Sequence, residues 1–133
     1  VRKIIYTTAV AGLATVLLLN ACNSQPTRQA PVSEKVVDRG YSMGEQVKRI
    51  NDFQINSWNY IDRRNAIIYV GASRYYLITT RRPCDGLTET ENLAYSTTVG
   101  NLTDKDKLLV RRDSGRVESC FIETIHELKK APG

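Results

Sequence analysis

Residues 58–85, WNYIDRRNAIIYVGASRYYLITTRRPCD, decide the fold. Ala66, Ile68 and Val70 point to one side of an extended chain, Ile67 and Tyr69 to the other, because side chains alternate along a strand. Apolar residues on both faces predict a strand covered on both sides. Gly71-Ala72-Ser73-Arg74 is a turn of hairpin length, with Gly71 able to take a positive φ. Beyond it Tyr75, Leu77 and Thr79 alternate with Tyr76, Ile78 and Thr80, and aromatic and β-branched side chains suit a pleated surface. The apolar positions do not recur at three and four, which argues against a helix.

Upstream, Phe53 and Ile55 alternate with Gln54 and Asn56, and the bulky residues then move to even numbers at Trp58 and Tyr60. If all four share one core, a bulge or sharp bend is needed near Asn56-Ser57. Ser42-Met43-Gly44-Glu45 matches a capping box, so a short helix over 43–50 competes with an extended segment leading into Phe53. Gly44 weighs against the helix. Downstream, Asp85-Gly86 marks a turn and Leu87–Ala94 a loop or one loose helical turn. Strands are expected over Tyr95–Val99, Lys107–Arg112 and Arg116–Ile122. Asp113-Ser114-Gly115 suits a three-residue hairpin loop with Gly115 left-handed. Ile122, Ile125 and Leu128 follow at spacing three, which fits a short C-terminal helix or a last strand with a bend. The fold class is therefore mainly β: a small antiparallel barrel or half-barrel, with room for a short helix at either end and one disulfide.

The 133 residues are of single-domain length, with neither internal repeats nor a second domain. Val1 suits a gene read from an alternative start codon. Arg2 and Lys3 precede an apolar stretch, Ile4–Leu19, that is short for a spanning helix and right for the core of a signal peptide. It ends in Leu19-Asn20-Ala21-Cys22, which resembles the lipobox of bacterial lipoproteins. The resemblance implies diacylglycerylation of Cys22, cleavage before it and acylation (palmitate-type) of the new amino terminus. Three acyl chains, at about 0.8 kcal/mol per buried methylene, make an anchor that hardly dissociates. The alternative is an ordinary buried cysteine beside a signal peptide or membrane anchor. The domain reading is thus signal peptide 1–21, lipidated Cys22 and flexible tether 22–40, and a single small β domain 41–133. Asn23, two positions on from the cleavage site, lacks the aspartate of inner-membrane retention, so the lipobox resemblance implies the periplasmic face of the outer membrane. The tether, rich in Ser, Gln, Pro and charge, reaches roughly 20–25 Å as a flexible coil.

With Cys22 assigned to lipid, Cys84 and Cys120 remain as an even pair in an oxidising compartment, and a disulfide between them is expected. The alternatives are weaker. There is no C-x-x-C and a single histidine, His126, so a zinc site is not expected. A cysteine hydrolase would require Cys120 free and His126 beside it. His126 otherwise reads as a partly exposed surface residue. Asp104-Lys105-Asp106 lacks the glycine and distal glutamate of a calcium loop and reads as a turn. Asn101-Leu102-Thr103 matches a glycosylation sequon by letters only. No metal and no cofactor are expected.

Net charge falls from +5 to +3 when Arg2 and Lys3 are removed, which is not a nucleic-acid signature. The dyads Arg63-Arg64, Arg81-Arg82 and Arg111-Arg112 all lie near expected strand ends. Clustered, they would meet anionic lipid or an acidic envelope partner; otherwise they are solvated strand ends. Trp58, Tyr60, Tyr69, Tyr75 and Tyr76 read as core in so small a domain.

Phe53, Ile55, Trp58, Pro83, Cys84, Cys120, Ile122 and Ile125 together resemble the pattern of a family of short bacterial envelope lipoproteins of unknown function. The resemblance covers most of residues 47–128 and departs at Asp85-Gly86. It implies a fold and a disulfide and transfers no activity. The functional expectation is a lipid-anchored envelope domain that binds a ligand or plays a structural part. Its alternative is an inhibitor of a cell-wall-degrading enzyme presenting the Gly71-Ala72-Ser73-Arg74 loop. An enzyme is the weakest reading, since no nucleophile–base–orienter set is visible.

Overall fold

A computed structural model describes residues 29–88, 90, 92–96 and 100–132. The chain forms a helix α1 (Val32–Val37), then strands β1 (Tyr41–Val47), β2 (Arg49–Ile50), β3 (Ile55–Asp62), β4 (Asn65–Val70) and β5 (Arg74–Thr80). A 3-10 turn over Asp85–Thr88 leads to β6 (Leu93–Ser96), β7 (Leu102–Thr103), β8 (Lys107–Arg111) and β9 (Val117–Lys130). Signal peptide 1–21, Cys22 and the first part of the tether lie outside the described residues, as do positions 97–99 of the strand expected over Tyr95–Val99.

All the pairings are antiparallel, and the main sheet runs β3-β4-β5-β9-β8-β6, curled into a half-barrel. β9 is its hub. Its first part pairs with β8, its second with β5, and β1 joins Ile125–Lys130. β2 and β7 make a separate two-stranded pair. The central hairpin forms as its alternation dictates. Ile68 and Val70 of β4, with Tyr76 and Ile78 of β5, enter the main core beside Leu108, Val110, Ile122 and Ile125. Ile67 and Leu77 enter a second cluster on the opposite face with Val36, Tyr41, Ile61 and Leu128. Gly71 (φ +60°) and Gly115 (φ +80°) take the left-handed conformations that their hairpin turns require.

The expected bulge is present: the β3–β4 register shifts between Ile55 and Ser57. Trp58 then packs against the main core. A second shift lies between Tyr60 and Asp62; Ile61 is buried in the cluster of the opposite face, and Tyr60 is exposed, at 38%. Tyr60 is therefore not a core residue, contrary to expectation: it shares the face of Trp58 but stands near the end of the edge strand β3, with the small Ala66 opposite it.

Three further expectations are resolved or corrected. Residues 41–47 are strand rather than helix. Gly44 meets the Glu127 carbonyl so closely that a Cβ there would lie 3.0 Å from its oxygen, at an irregular stretch of the β1–β9 ladder. Residues 122–128 are strand as well. The β5–β9 ladder pairs Thr79 with Thr124 and Thr80 with Ile122, so Glu123 is an extra residue. This bulge puts Ile122 and Ile125 on one face, and Leu128 lies on the other; spacing three here reports a kinked strand. Finally, the flexible tether read over 22–40 does not extend to 40. Val36 is fully buried and α1 is packed on the hairpin's outer face, so one valine outweighs a polar composition.

Candidate functional site

The side of the sheet where Gln29 arrives holds a groove of about 800 Å³, lined by Lys35, Tyr60, Asp62, Arg63, Arg64, Pro83 and Glu123 among others. It forms where α1 crosses the β3–β4 turn. The Lys35 ammonium donates to Asp62 Oδ2 at 2.8 Å. The other oxygen of Asp62 accepts from the Arg64 backbone N–H at 2.9 Å and from Asn65 Nδ2 at 2.8 Å. Asn65 Oδ1 accepts in turn from the Thr79 hydroxyl at 2.7 Å. Burial alone would raise the Asp62 pKa, but Lys35, the Arg64 N–H and Asn65 outweigh it and hold the carboxyl below its usual range. Asp62 is thus an ionised structural acceptor whose lone pairs are committed. Nothing in the spacing of Lys35 and Asp62, 27 residues apart, announces this pair; sequence reading missed it.

Two arginine dyads come together here. Arg63 pairs with Asp85, and its carbonyl accepts from the Cys84 N–H. Arg64 reaches Glu123 at 2.6 Å and donates through Nε to the Thr80 carbonyl at 2.9 Å. Arg81 donates to the Ile122 carbonyl at 3.2 Å and lies over the Phe121 ring. Arg111-Arg112 is separate, at the far end of β8, where Arg112 approaches Glu118 at 3.6 Å.

Cys84 and Cys120 are bonded, tying the end of β5 to β9. Glu118 has a carboxylate oxygen within 4.8 Å of both sulfurs and accepts from the Gly86 N–H at 2.9 Å. Sulfurs joined to each other carry no thiolate charge, so the trio offers a cation a single charged ligand. His126 is in register with Leu77 and Gln46. It therefore faces the second cluster, whereas Cys120 faces the main core, and the two do not meet. The Nδ1 of His126 is buried without a hydrogen-bond partner. Asp106 caps its own turn, accepting from the Thr103 N–H and hydroxyl, as a turn reading of Asp104-Lys105-Asp106 requires.

On the outer face Tyr41, Tyr69 and Tyr75 stack edge to face or tilted, with centroids 5.2–6.4 Å apart. The Tyr41 hydroxyl donates to Tyr69 at 2.9 Å. Burial, then that hydrogen bond and the neighbouring Tyr69 and Tyr75, push the Tyr41 phenol well above its ordinary value. Tyr69 and Tyr75 are core-like, as expected, but they line the second cluster rather than the first. Among the described residues no helix is long and apolar enough to cross a membrane.

No curated protein and no solved structure matches the chain. Residues 5–132 match one family over nearly the whole length, and the chain belongs to it: the family of unknown function DUF6491.

Proposed function

We propose that this chain is a non-catalytic binding or structural domain, held by lipid on Cys22 at the periplasmic face of the outer membrane. The observation that carries the reading is the Cys84–Cys120 bond. It occupies two of the three cysteines and fits an oxidising compartment, leaving Cys22 alone at the end of the apolar leader. The family match begins at residue 5 and so takes in that leader and Cys22. The non-catalytic part rests on the groove, where Asp62, Arg64 and Lys35 are engaged with one another. The inhibitor reading is the less favoured. Arg74 turns back to the carbonyls of Asn51 and Asp52, at 2.9 and 3.2 Å. The exposed tip is then Gly71-Ala72-Ser73, without a charged or aromatic side chain to anchor a partner.

The test is metabolic labelling with a palmitate analogue. The parent chain takes up label and is cleaved before Cys22, whereas Cys22→Ser takes up none and stays uncleaved. Label on Cys22→Ser defeats the proposal.

A further inference from the structure

Phe121 is half exposed, at 51%, in the middle of a seven-stranded sheet. Arg81 and Lys107 flank its ring, each with its cationic centre 5.9 Å from the centroid. Val117, 55% exposed, lies four residues earlier on the same face of β9. Arg81 and Arg82 border a hollow beside Phe121 that also includes Pro83 and Glu118. Among the described residues Arg81, Arg82 and Lys107 form no ion pair. The nearby carboxylates are engaged: Glu118 by the Gly86 N–H and Arg112, Glu123 by Arg64. The surface is therefore an exposed aromatic ring rimmed by cations that form no ion pair among the described residues.

We propose that this face is a membrane-docking surface: Phe121 enters the interface of an anionic bilayer while Arg81, Arg82 and Lys107 engage phospholipid head groups. Aromatic rings favour that zone, and long cationic side chains reach the phosphate layer from apolar stems. The chain's own path selects lipid over an acidic protein. Pro83 borders both this hollow and the groove that Gln29 enters, and Glu123, two residues beyond Phe121 on β9, lines that groove as well. Cys22 is seven residues before Gln29, at most about 25 Å of extended chain. The inference rests on the lipid-anchor reading for this geometry, and it specifies which face the anchor presents.

The test uses the full chain carrying Phe121→Trp, reconstituted in vesicles containing acyl-brominated lipid, with the parent chain as the blank for Trp58. Phosphatidylcholine vesicles are compared with vesicles holding one-third phosphatidylglycerol. Bromine should quench the residue-121 emission in the anionic vesicles and much less in the neutral ones. Ala72→Trp, at the opposite end of the β4–β5 hairpin, should be quenched in neither. Replacing Arg81, Arg82 and Lys107 by Gln should lower the docked-to-undocked ratio by roughly fivefold per cation, about a hundredfold for the three. Equal quenching in both vesicles, equal quenching at 72 and 121, or indifference to the triple replacement overturns the inference. So does capture of an acidic protein by this face with no effect of phosphatidylglycerol. Mass spectrometry of Cys22 in the same sample decides the anchor separately. Lipid on Cys22 without quenching at 121 refutes the docking face alone; absence of lipid refutes the anchor. In that case the uncleaved apolar leader still holds the chain to the vesicle, and quenching still reads the face.

Discussion

Replacing both Cys84 and Cys120 by Ala should cost about 4 kcal/mol of stability. The bond joins residues 36 apart, and the loop-entropy relation for that length gives roughly 3.8 kcal/mol at 25 °C. The folded state should survive the loss. Thr80 pairs with Ile122, and the Arg81 N–H donates to the Phe121 carbonyl at 2.9 Å, so β5 and β9 remain in register without the sulfurs. The effect then falls on the unfolded chain, which regains the freedom that the bond removes. For a domain of about 100 residues, that loss lowers the melting temperature by roughly 15–30 °C. Urea unfolding followed by the Trp58 emission measures it, in parallel with the parent chain in a thiol reductant, which should approach the double variant. A native chain with two reactive thiols would show that the bond is absent. A loss below about 1 kcal/mol would mean that the unfolded chain is already restricted. A variant lacking native β-sheet signal well below its melting range would show that the bond shapes the native packing.

Asp62→Asn should cost about 1 kcal/mol at neutral pH through loss of the charged Lys35 bond. Because the folded pKa of Asp62 is depressed, its contribution is present above the unfolded value near 4 and lost as pH falls through the folded one; the variant's stability should flatten in that acid range, and an unchanged acid limb counts against the assignment. Gly86→Ala should destabilise by about 1–3 kcal/mol in denaturant titration, since its Cβ would stand 2.5 Å from Val110 Cγ2; a neutral result would mean that the 3-10 turn shifts freely. Glu123→Ala, removing a half-exposed pair with Arg64, should cost under about 1 kcal/mol, and deletion of Glu123 should keep a cooperative transition, because Thr80 and Thr79 then face Ile122 and Thr124 in an unbroken ladder with Ile125 still on the face of Ile122. Loss of cooperative unfolding on deletion alone would show that the bulge itself is required for the packing of β9.

What was legible in the sequence was local. The β4–β5 hairpin follows from alternation over a dozen residues and one glycine. The bulge near Ser57 follows from a change of parity between Ile55 and Trp58. The three-residue loop ending at Gly115 follows from turn chemistry, and the Cys84–Cys120 bond from counting cysteines. What was not legible depends on partners far along the chain. Gly44 counts against a helix by propensity, but only the Glu127 carbonyl facing it shows why a glycine is there. Ile122, Ile125 and Leu128 carry a helical spacing that a single inserted residue, Glu123, imitates within a strand. Tyr60 looks inward by its alternation with Trp58, and its exposure depends on its place near the end of the edge strand β3. The Lys35–Asp62 pair requires α1 to cross the β3–β4 turn, and no local pattern encodes that crossing.

The burial of Val36 moves the domain boundary and shortens the chain available to the proposed anchor on Cys22. Read as tether to Gly40, the chain after Cys22 would span up to about 60 Å. With α1 packed on Ile61, Ile67, Leu77 and Leu128, the chain between Cys22 and the folded domain ends at Val32, and the extended limit falls to about 35 Å. With the proposed lipid on Cys22, a domain on the shorter leash spends more of its time near the membrane surface, since the effective concentration of a tethered partner rises as the linker shortens toward the span it must cover. Weak contacts that would not retain a free protein then suffice. This is the regime in which three cations without an ion pair among the described residues, and one exposed ring, matter, each worth only a few-fold alone. The same α1 that buries Val36 also delivers Gln29 to the groove bordered by Pro83 and Glu123. The packing that shortens the leash therefore also fixes the side from which it leaves, and that side borders Phe121.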